Sequence, residues 1–250
     1  MANKTALITG ATSGIGKATA QLFAQHNINL IICGRNANKL LTLKTELETM
    51  VQVHTLCFDV SNQHEVFAQI NSLQATYSQI DILLNNAGNA HGRNTFQDGD
   101  LNDYNLMIDI NVKGLIYVTK AVLPFMLPHQ SGHIINIGSI AGQEVYEQGN
   151  VYNASKFAVD ALSKAMRIDL INQKIRVAQV NPGAVQTDFS LVRFKGDTNK
   201  ANKVYEGWQP LQAIDVAEVI HFMVTRPAHV NIADVLLLPT AQANAYIVNK

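Results

Sequence analysis

Thr5-Ala6-Leu7-Ile8-Thr9-Gly10-Ala11-Thr12-Ser13-Gly14-Ile15-Gly16 is the stretch that decides the fold. Its first five residues form a short β-prone run. The glycines follow at once, and an amphipathic stretch then runs on to Gln25. A strand, a glycine-rich turn and a helix in that order form a seat for a pyrophosphate. Glycines let the backbone approach the phosphates, and the helix N-terminus offers unpaired N–H groups with a partial positive charge. The spacing is GxxxGxG, not the GxGxxG of the general dinucleotide fingerprint. Gly10, Thr12, Ser13, Gly14, Ile15 and Gly16 are therefore candidate cofactor contacts. The competing reading is a strand-to-helix turn that holds no ligand.

Outward from that turn, β-rich runs recur at residues 5–9, 28–33, 51–58, 80–85, 133–138, 175–181 and 234–238. Helix-period stretches lie between them at 14–25, 36–49, 63–77, 103–127 and 152–172. Strand then helix, repeated, predicts an α/β fold: one doubly wound parallel sheet of about seven strands with helices on both faces. No repeat, low-complexity tract or linker divides the chain, so residues 1–250 are expected to form a single domain. A polar segment at 185–207 is expected to cross the top of the sheet as a loop or short helices, in the manner of a lid. The tail at 239–250 is expected to be frayed or held by another subunit.

The 250 residues carry 19 basic and 19 acidic side chains, for a formal net charge of zero. That balance argues against a nucleic-acid partner. No apolar run approaches bilayer length. Met1-Ala2-Asn3-Lys4 leads straight into the first strand without the apolar core of a signal peptide, so the expected location is the cytoplasm. Cys33 and Cys57 lie in strand-like runs and are expected to be buried, reduced thiols. The eight histidines show no metal-ligand spacing, and no metal is expected.

The second strand ends in Cys33-Gly34-Arg35-Asn36. Dinucleotide sites commonly place an acid there for the ribose 2′-hydroxyl. Here an arginine stands in its place, and a guanidinium can bind a 2′-phosphate through paired hydrogen bonds. The residues thus favour NADP over NAD, with a solvated Arg35 as the alternative. Asp59-Val60 closes the third strand. Asp59 could accept a hydrogen bond from an adenine amino group; a helix N-cap at Asp59 or Ser61 is the other reading.

Tyr152 and Lys156, four residues apart on a helix, share one face, and Ser139 lies thirteen residues upstream. A cation beside a phenol favours phenolate. Taken in order, the glycine turn, Asn85-Asn86-Ala87-Gly88, Asn111, Ser139, Tyr152 with Lys156, and Pro182-Gly183 closely resemble the short-chain dehydrogenase/reductase family, over nearly the whole chain. The resemblance implies a Rossmann-like fold and an oxidoreductase. It implies Tyr152 as general acid/base and Lys156 on the nicotinamide ribose, lowering the Tyr152 pKa. Ser139 would polarise the substrate oxygen, and Asn111 would hold a water of a proton relay. It also implies cofactor contacts at Asn86, Ala87, Gly88, Pro182, Gly183, Val185 and Thr187.

The stretches at 190–197, 227–232 and 238–242, with Asn150-Val151-Tyr152, are similar to the NADP-dependent 3-hydroxy acid dehydrogenase branch. That branch acts on serine, allo-threonine and related acids. The resemblance implies a small-molecule substrate and a homotetramer whose tails reach toward a neighbour. Residues 143–148 depart from the branch by being larger and more acidic, and they are expected to line the pocket, with Tyr146 as a substrate contact. Arg193 is expected to clamp a substrate carboxylate, or else to be an exposed lid charge. A different carbonyl substrate, such as a sugar, a ketoacyl thioester or a bulky ketone, remains an alternative, as does a non-catalytic NADP-binding regulator.

Overall fold

The computed structural model describes residues 3–250, so Met1 and Ala2 of the N-terminal reading lie outside the described residues. Seven parallel strands form the central sheet: β1 (Thr5–Thr9), β2 (Asn29–Gly34), β3 (Val53–Cys57), β4 (Ile82–Asn85), β5 (Gly132–Ile137), β6 (Ile175–Pro182) and β9 (Asp234–Leu237). Their order is β3-β2-β1-β4-β5-β6-β9. Two further strands, β7 (Val185–Gln186) and β8 (Leu211–Gln212), pair with each other in parallel. The helices are α1 (Gly14–Gln25), α2 (Ala37–Leu47), α3 (Gln63–Asn71), α4 (Leu101–Ile108), α5 (Leu115–Val122), α6 (Asn150–Asp169), α7 (Phe189–Arg193), α8 (Thr198–Lys203) and α9 (Ala213–Val224).

Period-2 alternation along the strands builds two cores. Ala6, Ile8, Leu30 and Ile32 pack on one face with Phe23 of α1 and Ile220 of α9. Leu7, Ile31, Leu83 and Ile134 pack on the other with Val66 of α3 and Val118 of α5. Every one of these side chains is fully buried or nearly so. Strands covered on both sides must be apolar throughout, which is why they read as continuous runs in the sequence.

Several expectations need correction. The stretch 103–127 is not one helix: α4 and α5 are joined by a π-helical turn at Asp109–Gly114, and Pro124 and Pro128 reduce the end to 3₁₀ turns. Helix α9 has no counterpart among the expected helices, although its capping box pairs Gln212 with Asp215. Cys33 is buried as expected, but Cys57 is exposed because β3 is an edge strand. The tail is not frayed. Gln242 bridges to Val248 in an antiparallel turn, held by Ala243 N–H to Ile247 C=O at 2.9 Å and Asn249 N–H to Ala241 C=O at 2.8 Å.

The strand order reverses between β1 and β4, and the crevice beyond their C-terminal ends is where an open α/β sheet receives a ligand. The pair β7–β8 closes the base of the segment that lies over this crevice.

Candidate active site

The turn after β1 and the turn after β4 meet at the switch point. The Thr9 hydroxyl accepts from the backbone N–H groups of Asn86 and Ala87, each at 3.0 Å. The Asn86 amide donates back to the carbonyls of Thr9 (2.9 Å) and Gly10 (3.1 Å). Gly10 (φ +63°) and Gly14 (φ +50°) adopt left-handed backbone that a side chain would strain. A Cβ at Gly16 would collide with the Gly10 carbonyl and the Asn86 amide, so Gly16 lies beneath the turn. Ser13 is the N-cap of α1, yet its side chain makes no capping bond. The helix N-terminus is thus left free to receive a phosphate oxygen, and this cradle fits a pyrophosphate.

At the outer end, Arg35 Nη1 lies 3.6 Å from Asp59 Oδ2, with the arginine side chain 69% exposed. The carboxylate absent from the end of β2 is supplied from the end of β3, and it faces the guanidinium. Neither Asp59 nor Ser61 caps α3; Asn62 does, accepting from Glu65 N–H. Asp59 instead accepts from the Ser61 N–H (2.9 Å) and hydroxyl (2.7 Å). Burial alone would raise its pKa, but the Ser61 hydrogen bonds and Arg35 together hold it below the ordinary value.

At the inner end, Tyr152 and Lys156 project from the first turns of α6 and are both buried. Lys156 Nζ donates to the Ile137 carbonyl at 2.9 Å and lies 5.9 Å from the Tyr152 ring centre. Burial pushes the lysine pKa down to about 8. Tyr152 behaves opposite to expectation: burial, reinforced by Tyr146, drives its phenol pKa well above the usual value. The Ser139 hydroxyl and the Arg193 guanidinium oppose that rise without overcoming it. Lys156, whose ammonium donates to a backbone carbonyl, is not among the groups that oppose the rise.

Asn111 sits in the π-helical turn, a distortion that re-aims a side chain within a helix. Its amide N–H groups donate to the Asn89 carbonyl (2.8 Å) and the Ser155 hydroxyl (3.0 Å), and its oxygen accepts from Asn89 N–H (2.8 Å). One lone pair of that oxygen stays uncommitted to these partners.

Arg193, at the end of α7, reaches back over the crevice. Its Nη1 donates to the Tyr146 hydroxyl at 2.8 Å, and its guanidinium carbon lies 5.5 Å from the Tyr152 ring centre. Phe189 of the same helix packs against Tyr152 with ring centres 5.6 Å apart. Tyr146 is the sole residue of 143–148 on the cleft wall, so the expected lining by the two carboxylates is overturned. Glu147 is exposed, and Glu144 accepts from the tail's Ala245 N–H at 2.9 Å.

A cleft of about 750 Å³ joins these parts, and every candidate site residue lines it except the underlying Gly16 and Asn111. The sequence reading missed His91, Arg93 and Gln242. Gln242 comes from the tail, where its side-chain oxygen accepts from Ala184 N–H at 2.9 Å. No local signal marks these three, since they reach the wall through tertiary folding. Although the whole chain is neutral, the wall carries Arg35, Arg93, Lys156, Arg193, Lys203 and Lys250 against Asp59 and Asp188 alone. Such a cleft attracts anions. At its inner end, the protonated phenol can give a proton to an oxygen beside Ser139.

A family model of the short chain dehydrogenases matches residues 4–197. The chain belongs to that family. It is 43% identical over 246 residues to sulfoacetaldehyde reductase 2 of Chromohalobacter salexigens, covering 98% of each chain. It is 44% identical over 240 residues to the NADP-dependent 3-hydroxy acid dehydrogenase YdfG of Salmonella typhi, covering 96% of each. Among solved structures, the closed form of serine dehydrogenase complexed with NADP+ superposes with a TM-score of 0.92 at 42% identity, covering 97% of this chain and 98% of that one. Among the described residues, no helix is long and apolar enough to cross a membrane.

Proposed function

We propose that this family member is an NADP-dependent oxidoreductase that interconverts the hydroxyl and carbonyl forms of a small anionic substrate, a 3-hydroxy acid such as serine or allo-threonine. The observation that carries the reading is the cation-rich cleft in a neutral chain, with Arg193 held above Tyr152. The relatives named for NADP-dependent 3-hydroxy acid oxidation support it.

NADP would lie along the cleft. The turn from Gly10 to Gly16, including Thr12, Ser13, Gly14 and Ile15, would hold the pyrophosphate. Arg35 would hold the 2′-phosphate. Asp59 and Val60 would face the adenine, and Asn86, Ala87 and Gly88 the adenosine ribose. Pro182, Gly183, Val185 and Thr187 would flank the nicotinamide, with Lys156 on its ribose. When bound there, the cofactor would supply or accept the hydride.

The chain's own residues handle the proton. Tyr152, kept protonated by burial, donates to the carbonyl oxygen during reduction and takes the proton back during oxidation. Ser139 orients that oxygen. Asn111 fixes the backbone at Asn89 and offers its uncommitted lone pair to a relay water. Arg193 and Tyr146 receive the substrate's anionic group, since a guanidinium matches a carboxylate through paired hydrogen bonds.

A second reading replaces carboxylate by sulfonate, and it is favoured by the 43% identity to sulfoacetaldehyde reductase 2. Both substrate types place an anionic group one carbon from the reacting carbon, so one clamp serves either. Initial rates with NADP and with NAD on serine, 3-hydroxyisobutyrate, 2-hydroxyethanesulfonate and neutral alcohols test the proposal. Faster turnover of neutral alcohols than of both anionic classes would overturn it.

The assembly reading is a cytoplasmic homotetramer of single-domain subunits, each with residues 185–207 as a lid and 239–250 as a tail. Exposed apolar side chains support association: Leu101 and Leu106 on α4, Phe157 and Ile168 on α6. Light scattering at micromolar concentration tests it, and a monomer there would exclude the tetramer. Limited proteolysis within 185–207, slowed by NADP, tests lid closure.

A further inference from the structure

The lid is fastened to the body at a point outside the site described above. Asp103, in the first turn of α4, is buried, with only 9% of its side chain exposed. Its carboxylate meets Lys195 Nζ at 2.9 Å. Lys195 lies two residues beyond Arg193, just past the end of α7, with left-handed backbone (φ +53°), and Gly196 continues the reversal (φ +90°). Asp100 approaches the same ammonium at 4.0 Å.

The same carboxylate underlies the second wall of the clamp. A Cβ built on Gly92 (φ +68°) would stand 3.2 Å from Asp103 Oδ2, so a larger residue there would be strained in its backbone and would press on the carboxylate. Gly92 N–H in turn donates to the Arg193 carbonyl at 2.9 Å, and the Gly92 carbonyl accepts from Arg193 Nε at 3.4 Å. Asp103 therefore sits beneath both chain segments that set the Arg193 guanidinium, while lining no part of the cleft.

We propose that Asp103 is a positioning residue for anionic substrate. Through Lys195 and the Gly92 turn it holds Arg193 at the height of the Tyr152 ring. The Lys195 side chain is 57% exposed, but the carboxylate it meets is only 9% exposed, so removing the cation leaves that carboxylate without its partner. The pair then tunes the affinity of the clamp without touching substrate, cofactor or reacting atoms. The inference rests on the anion-clamp reading of Arg193.

The test is a set of variants assayed on 3-hydroxyisobutyrate with NADP: Asp103→Asn, Asp103→Glu, Lys195→Met and Arg193→Ala. For Asp103→Asn and Lys195→Met, KM should rise about tenfold, the scale of a coupling between contacting residues. Their kcat should stay near wild type, as should NADP affinity read from Trp208 fluorescence; Trp208 lies on the cleft wall. Asp103→Glu should restore most of the affinity, and the double variant Asp103→Asn with Lys195→Met should cost no more than either change alone. If Arg193→Ala raises KM while Asp103→Asn leaves it unchanged, the positioning role is wrong and the clamp stands. If Asp103→Asn lowers NADP affinity and kcat as well as raising KM, the residue is merely structural and the proposal falls. If Arg193→Ala itself leaves KM unchanged, the clamp reading fails, and the inference fails with it.

Discussion

The Arg193 guanidinium donates to the Tyr146 hydroxyl at 2.8 Å and hangs 5.5 Å from the ring of Tyr152. One residue comes from the end of α7, one from the segment before α6 and one from α6 itself. Their convergence puts a fixed positive charge within reach of the phenol, so the proposed anion clamp can be tested apart from the proposed proton donor. Arg193→Ala is expected to raise KM for 3-hydroxy acids about tenfold to a hundredfold, the worth of a charge-assisted hydrogen bond, with a smaller effect on kcat. Steady-state kinetics on an acid and on its neutral alcohol analogue check this: only the acid should suffer.

Tyr152→Phe removes the phenol hydroxyl, the proposed proton donor, and keeps the ring against Phe189. The expected loss in kcat is about a hundredfold to ten-thousandfold, with NADP affinity intact. Retained turnover would mean that another group carries the proton.

The pH profile follows from burial. Because the Tyr152 pKa is raised, its protonated form dominates through neutral pH. Carbonyl reduction should therefore hold its rate across neutral pH, whereas alcohol oxidation, which needs the deprotonated form, should rise toward alkaline pH. Loss of charge on Lys156, with a pKa of about 8, bears on both directions alike, so reduction should stay flat or fall where oxidation rises. Rates in both directions between pH 6 and 10 check the diverging slopes.

Arg35 is held beside Asp59 at 3.6 Å, and the pair is open to solvent. A bare carboxylate would repel a 2′-phosphate. Arg35→Ala should raise KM for NADP about tenfold and leave KM for NAD nearly unchanged. A parallel loss for both cofactors would move the 2′-phosphate contact elsewhere.

His133, in β5, is 1% exposed, and among the described residues neither ring nitrogen has a hydrogen-bond partner. Burial, aided by Arg176 and Lys4, lowers its pKa from 6.5 to about 3. The unfolded chain therefore binds a proton below pH 6.5 that the folded chain refuses until about pH 3. Stability should fall with acidification across that window, by up to about 1.4 kcal/mol per pH unit from this group. His133→Leu should flatten the acid limb of a urea-denaturation series; an unchanged slope would contradict the assignment.

Most of the sheet was legible because strands covered on both faces must be apolar throughout, as in Ala6-Leu7-Ile8 and Leu30-Ile31-Ile32. The glycine turn and the Tyr152–Lys156 pair were legible because their geometry is local: a left-handed Gly10, and two side chains one helical turn apart. What escaped depends on distant partners. The position of Glu144 between Ser139 and Tyr152 suggested a pocket wall, yet its carboxylate accepts from a backbone N–H 101 residues away. Gln242 enters the cleft because the tail folds back in a hairpin, and Tyr152's acidity is set by burial that no spacing rule encodes. Helix α9 escaped because its apolar residues run almost continuously, blurring the period expected of a helix.

NADP-linked turnover of small anionic alcohols is proposed for a cleft whose cations outnumber its carboxylates. The most direct measurement is the ratio of kcat/KM for 3-hydroxyisobutyrate to that for its neutral diol analogue with NADP+, followed by nicotinamide absorbance at low salt. The account predicts a ratio of at least about ten, collapsing toward one in Arg193→Ala. A wild-type ratio at or below one would contradict it.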